Sequence, residues 1–145
     1  MDVDRIEWDN SFLIGIEIID RQHQKLFELA NLFFEAMDMS KDKQLCRHIL
    51  QGLMTYANVH FAAEEDQMRT MNYPQLDKHR ARHQDLRHRV ESLMASEAAG
   101  LPLDIADVAE LLKQWLTQHI QNEDRQYGDF IQKQELVHNC KTETA

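Results

Sequence analysis

The sequence predicts an all-α protein, an up-down-up-down four-helix bundle with an extended N-terminal arm. Three observations carry this. Only four glycines and two prolines interrupt 145 residues, too few for many short strands and turns. Apolar residues recur at three- and four-residue steps along four long stretches. The breaks between those stretches are short, as antiparallel neighbours require.

The arm covers about residues 1–18. Phe12, Ile14, Ile16 and Ile18 alternate, but no second strand is available to pair with them, so the segment is expected to lie extended over the bundle. The first helix is expected over 20–39, with Ile19, His23, Leu26, Ala30, Phe33 and Met37 along its seam. After a break at Ser40–Asp42, the second spans 42–71, with seam Leu45, Ile49, Leu53, Tyr56, His60, Glu64, Met68 and Met71. Asn72, Tyr73 and Pro74 end it, and Pro74 suits the first position of a third helix over 74–99. The seam of that helix is Leu76, His79, His83, Leu86, Val90 and Leu93. Gly100 and Pro102 break the chain again, and Asp104 is placed to cap a fourth helix over 104–134. Val108, Leu112, Trp115 and His119 form its seam, with Leu116, Ile120 and Tyr127 beside it. The whole of 1–145 reads as a single domain, without repeats or linkers.

A net charge of −9 and the lack of a basic stripe argue against nucleic acid and against an anionic membrane surface. No apolar run approaches the roughly 20 residues that span a bilayer, and the first residues do not resemble a secretory leader. Cys46 and Cys140 are far apart with no Cys-x-x-Cys, which suits a reducing, cytoplasmic setting.

The unusual feature is histidine, eight in all. His23, His60, His79, His83 and His119 fall on the seams, at least one from each helix, together with Glu64. His48 and His88 fall off the seams, and His138 lies beyond the expected end of the fourth helix. His60 and Glu64 are four residues apart, as are His79 and His83, so each pair shares one helix face. A single inward histidine is ordinarily a core residue with its hydrogen bonds satisfied. Five with a carboxylate need stronger compensation, which a metal centre provides. Imidazole with carboxylate suits iron, the donor number suits two ions, and the cysteines for a structural zinc site are missing. Cys-x-x-Cys-His, which would attach haem, is also absent. On the fourth helix the wheel favours Glu123, four residues after His119. Asp124 is five residues on but extends the line of Leu116 and Ile120, so both acids stay open.

Four strings in order resemble the hemerythrin family, in particular its single-domain bacterial members. They are Asp20-Arg21-Gln22-His23, His60-Phe61-Ala62-Ala63-Glu64-Glu65, Tyr73-Pro74 followed by His79 and His83, and Trp115-Leu116-Thr117-Gln118-His119 followed by Asp124. Trp8 and Gly15 match the family's arm, and the resemblance spans about 6–130. It implies a non-haem di-iron centre with a bridging oxo or hydroxo group that binds dioxygen reversibly. His79, His83 and His119 would hold one iron, and His23 and His60 the other, which keeps an open position. Glu64 and Asp124 would bridge the two. Glu65 and Glu123 are then left as surface acids. Phe61, Trp115, Leu116 and Ile120 are the candidates for an apolar wall around dioxygen, against the plainer reading of core packing. The implied role is oxygen storage, delivery or scavenging, without catalysis. The rival classes are an oxygen or redox sensor acting through a partner, and a di-iron enzyme processing peroxide or nitric oxide.

Overall fold

The computed structural model describes residues 5–39, 42–101 and 105–143, the side chains at 105 and 138–143 excepted. The expectations for Pro102, the Asp104 cap and the His138 and Cys140 side chains lie outside the described residues. Among those described there is no strand, and no helix is long and apolar enough to cross a membrane.

Four long helices pack in a closed ring, each against its sequence neighbours and the last against the first. Helix α1 runs Glu17–Met39, α2 Lys43–Thr70 and α3 Leu76–Ala98. The fourth helix is built of α4 (Ile105–His119), a π turn (Ile120–Asp124) and α5 (Arg125–Glu143), so it extends past the expected end near Gln134.

Helix α1 starts three residues before the expected Asp20, and the side chain of Asp20 explains the difference. Its carboxylate accepts from the backbone N–H groups of Ile14 (2.8 Å) and Gly15 (3.2 Å). Asp20 therefore tethers the arm from inside the first turn rather than opening the helix. Gly15 makes the bend at φ +89°, where a side chain would be strained. The arm does lie over the bundle, but it is not a uniform strand. Asn10–Phe12 form a 3₁₀ turn capped by Asp9, and Ile18 points to solvent from α1. Asn31 exchanges two hydrogen bonds with the backbone of Ile6. Trp8 and Phe12 pack edge-on to Phe27 at 5.1 and 4.8 Å between ring centres.

In α2 the inward face is Cys46, Leu50, Leu53, Ala57, His60, Phe61, Glu64 and Met68. The expected Leu45 is exposed and Ile49 only half-buried, so the first turns are rotated by one residue from the predicted seam. The buried positions step back from His60 by three and four residues in turn, through 57, 53, 50 and 46. The small side chains of Ala57 and Cys46 are buried, and α2 makes its most extensive helix contact with α1. Asp42 caps α2 through the N–H groups of Gln44 and Leu45. Asn72, at φ +56°, stops it in the left-handed conformation asparagine tolerates. Pro74 sits in the following turn, and α3 begins at Leu76.

The apolar core is split. One cluster holds Leu26, Phe33, Leu53, Leu86, Leu112 and their neighbours. The other holds Ile14, Ile19, Met68, Tyr73, Tyr127 and Ile131. Most of the buried polar residues fall between these two sets along their helices: His23 after Ile19, Glu64 before Met68, His79 and His83 before Leu86, Asp124 before Tyr127, while His60 and His119 stand among members of the first cluster. Gly128 lets the arm close over the second cluster, because a Cβ there would lie 2.2 Å from the carbonyl oxygen of Ile14.

Candidate metal centre

The structure brings together all seven residues for which a metal role was expected. His23, His60, Glu64, His79, His83, His119 and Asp124 are each at most 4% exposed. Their donor atoms fall into two groups, each within 4.8 Å of one another. Glu64, His79, His83, His119 and Asp124 form the first, and His23, His60, Glu64 and Asp124 the second. Both carboxylates belong to both groups. The exposed His48 and His88 take no part.

All five imidazoles turn Nε2 inward. Nε2 of His79 lies 2.6 Å from Glu64 Oε1 and 2.8 Å from Asp124 Oδ1. Nε2 of His23 lies 3.0 Å from Asp124 Oδ2, and that of His60 3.2 Å from Glu64 Oε2. Nε2 of His119 is 3.1 Å from Asp124 Oδ1 and 3.1 Å from Nε2 of His83.

The π turn resolves the choice between Glu123 and Asp124. Inside Ile120–Asp124 the backbone takes one extra residue per turn, so five residues rather than four return the chain to the face of His119. Asp124 is buried at the cluster, and Glu123 is displaced outward to pair with Arg82 at 3.1 Å. A regular wheel could not show this.

The donor set fits a metal. His23 Nε2, Glu64 Oε2 and both oxygens of Asp124 are buried without an aligned hydrogen bond, although opposing atoms crowd them. Such atoms aim at a common point rather than at each other, and leaving them unsatisfied would be costly. Without an ion, protons must compensate. Burial pulls His23 and His79 down, but the adjacent carboxylates of Asp124 and Glu64 outweigh it and raise both to about 9. Burial also opposes ionisation of Glu64, yet the surrounding imidazoles hold its carboxyl well below the usual range. For Asp124, burial and the charge of Glu64 push upward, and His119 and His23 prevail to hold it low. His119 is lowered by burial.

Glu65 and Glu123, expected to be surface acids, turn toward ligand-type histidines instead. Glu65 Oε2 accepts from Nδ1 of His83 at 2.9 Å. Hydrogen bonding from His83 chiefly holds its carboxyl below the ordinary value. Glu123 Oε2 lies 3.9 Å from Nδ1 of His119. Gln22 Oε1 accepts from Nδ1 of His60 at 2.6 Å. The sequence reading missed Gln22. Its position next to a seam histidine was a signal, but one too common to single out.

Of the apolar-wall candidates, Phe61 stacks on His83 at 3.9 Å and 11° and lies 5.8 Å from His60. Leu116 and Ile120 are buried in the larger cluster. Trp115 is half-buried and stacks on His119 at 4.3 Å, on the side of the three-imidazole group. Its outer edge lines a surface cleft with Arg82, Arg89 and Glu123.

A helical bundle whose two buried carboxylates are shared between unequal sets of imidazoles defines a bundle protein with a cluster able to hold metal. Sequence comparison agrees in kind. Residues 14–131 match the hemerythrin HHE cation binding domain, and the chain belongs to the hemerythrin family. It is 33% identical to a bacteriohemerythrin of Clostridium acetobutylicum over 84% of this chain and 98% of that protein. Against a bacteriohemerythrin of Pseudomonas paraeruginosa it is 31% identical, over 86% of this chain and 80% of that one. Against a hemerythrin-like protein of Naegleria gruberi it is 30% identical, over 86% and 92%.

Proposed function

We propose that the chain, as one hemerythrin-like domain over 1–145, holds two iron ions in this cluster and through them binds dioxygen reversibly. Its role is storage, delivery or scavenging in the cytoplasm, as a binding protein rather than an enzyme. His79, His83 and His119 hold one ion, and His23 and His60 the other. Glu64 and Asp124 bridge them, with an oxo or hydroxo group between. The observation that carries the reading is the sharing of Glu64 and Asp124 by both donor groups.

The iron pair supplies the electrons for reversible dioxygen binding. The chain does the rest. Two anionic carboxylates, with the bridging group, offset most of the charge of two divalent ions, so the site tolerates a dry core. The group around His23 and His60 has one imidazole fewer, which leaves that ion room for a small ligand. Phe61, Leu116 and Ile120 are the apolar wall that excludes water, and Trp115 shields the far side over His119.

The test is iron content with an absorption spectrum. The purified chain is expected to carry two irons and no haem. Reduced without air, it should gain a visible band on meeting dioxygen and lose it when dioxygen is removed. A single ion per chain, or zinc at full occupancy, would sink the di-iron reading. Irreversible conversion to the ferric protein would favour the enzyme or redox-sensor class.

A further inference from the structure

The arrangement behind the imidazoles differs between the two donor groups. In the three-imidazole group the partner of His83 is a carboxylate, Glu65. In the two-imidazole group the partner of His60 is a neutral amide, Gln22. We propose that Glu65 is a positioning residue that makes the three-imidazole position the stronger of the two metal sites, while Gln22 orients His60 without strengthening it. This rests on the di-iron reading above.

The geometry around Glu65 is built rather than incidental. Its other oxygen, Oε1, forms an ion pair with Nε of Arg80 at 3.2 Å, and Arg87 Nη2 approaches Oε2 at 4.0 Å. The arginines hold the carboxylate from outside, with the Arg87 guanidinium also lying 5.5 Å over the Phe61 ring. The His83 ring is wholly buried and stacked on Phe61, so it has one orientation. With its Nδ1–H committed to Glu65, the lone pair resides on Nε2 and faces the cluster. A carboxylate accepting that hydrogen bond pulls on the proton and leaves Nε2 more basic. The amide of Gln22 fixes the same tautomer on His60, but carries no charge to do the second thing.

Two consequences follow for iron. The position with His83 should hold its ion longer, and its ferric form should be the more stabilised. The position with His60 should release its ion first and favour the ferrous form. Glutamate and glutamine are nearly equal in size, so Glu65→Gln and Gln22→Glu exchange charge with little change of shape.

The experiment uses the full iron-loaded chain and its two variants. Two readouts are taken: the two phases of iron loss to a chelator under reducing conditions, and the midpoints of electrochemical reduction. Glu65→Gln should accelerate the slower phase on the order of tenfold or more and move the midpoints to higher potential. Gln22→Glu should slow the faster phase and move them lower. If the unmodified chain holds two irons and neither variant alters rates or midpoints, the proposal is overturned and the di-iron reading stands. If the unmodified chain takes up no iron, both fall. Should Glu65→Gln melt early in its metal-free form, Gln22→Glu decides: a shift to lower potential supports the proposal, and none overturns it.

Discussion

Asp124 faces the buried histidine cluster five residues after His119, with its Oδ1 3.1 Å from Nε2 of that histidine, because the helix between them makes a π turn. In a regular α-helix the fifth residue would lie about 140° away. π turns are uncommon and concentrate at functional sites. Here the turn adds one residue to the fourth helix where an acidic side chain is needed inside.

The two acids of this turn should therefore separate cleanly on substitution. Asp124→Ala is expected to abolish stable binding of the metal pair. Glu123→Ala should retain both ions, with fold stability changed by no more than about 1 kcal/mol, since a pairing to the solvent-exposed Arg82 is weak. Metal content after desalting and a denaturant melt of each variant check this. Retention of two ions by Asp124→Ala would refute the assignment.

Metal uptake should release protons at neutral pH. In the metal-free chain His23 and His79 are raised to about 9 and so are protonated there. An ion needs their Nε2 lone pairs and must displace those protons. Apparent affinity should thus climb with pH and level off near 9. The metal-free fold should move the other way. The stability from a raised histidine is fully present below its unfolded value of about 6.5 and is lost as pH rises through about 9. Anaerobic ferrous titration in weak buffer with a pH indicator measures the first trend, and urea midpoints of the metal-free chain the second. Uptake without proton release at neutral pH would contradict the protonated resting state.

Gly128→Ala should destabilise the protein without touching a ligand. Its Cβ would stand 2.2 Å from the Ile14 carbonyl oxygen, a backbone atom. The arm must lift from α5, which costs about 1–3 kcal/mol by analogy with overpacked cores. The expected result is a melting temperature lower by several degrees in the metal-free chain. An unchanged melt would mean that the arm is not held against α5.

The off-seam histidines should be dispensable. His48→Ala and His88→Ala change exposed side chains away from the cluster and should leave metal content intact. His138→Ala is expected to behave alike, from its place in the sequence beyond the seams. Loss of an ion from any of the three would show that metal also binds outside the buried cluster.

The relation between Asp20 and the arm gives a further test. Two backbone N–H groups depend on that one carboxylate. Asp20→Ala leaves at least one of them buried without a partner, at about 1–3 kcal/mol. Faster amide exchange confined to the arm would be the sign, with the helices unaffected.

The sequence by itself determined the bundle and the inward ligands of the first three helices. Their seams and the four-residue spacing of His60 with Glu64 and of His79 with His83 follow from a regular helix, whose periodicity is local and can be read from one strip of residues. It could not fix the face of Asp124, where the wheel pointed to Glu123 and only the family pattern pointed further on. A π turn carries no composition of its own, so nothing in the run Ile120–Asp124 announces it. The outer partners were hidden for a related reason. Glu65 looks like any solvated acid in sequence, and what turns it is contact with His83 and Arg80 on another helix; Glu123, which the wheel pointed inward, is drawn to Arg82 of another helix. The same holds for Gly128, whose need for no side chain exists only because Ile14, more than a hundred residues away, folds back onto it. Helix-local patterns were legible in the chain; contacts between distant segments were decided by packing alone.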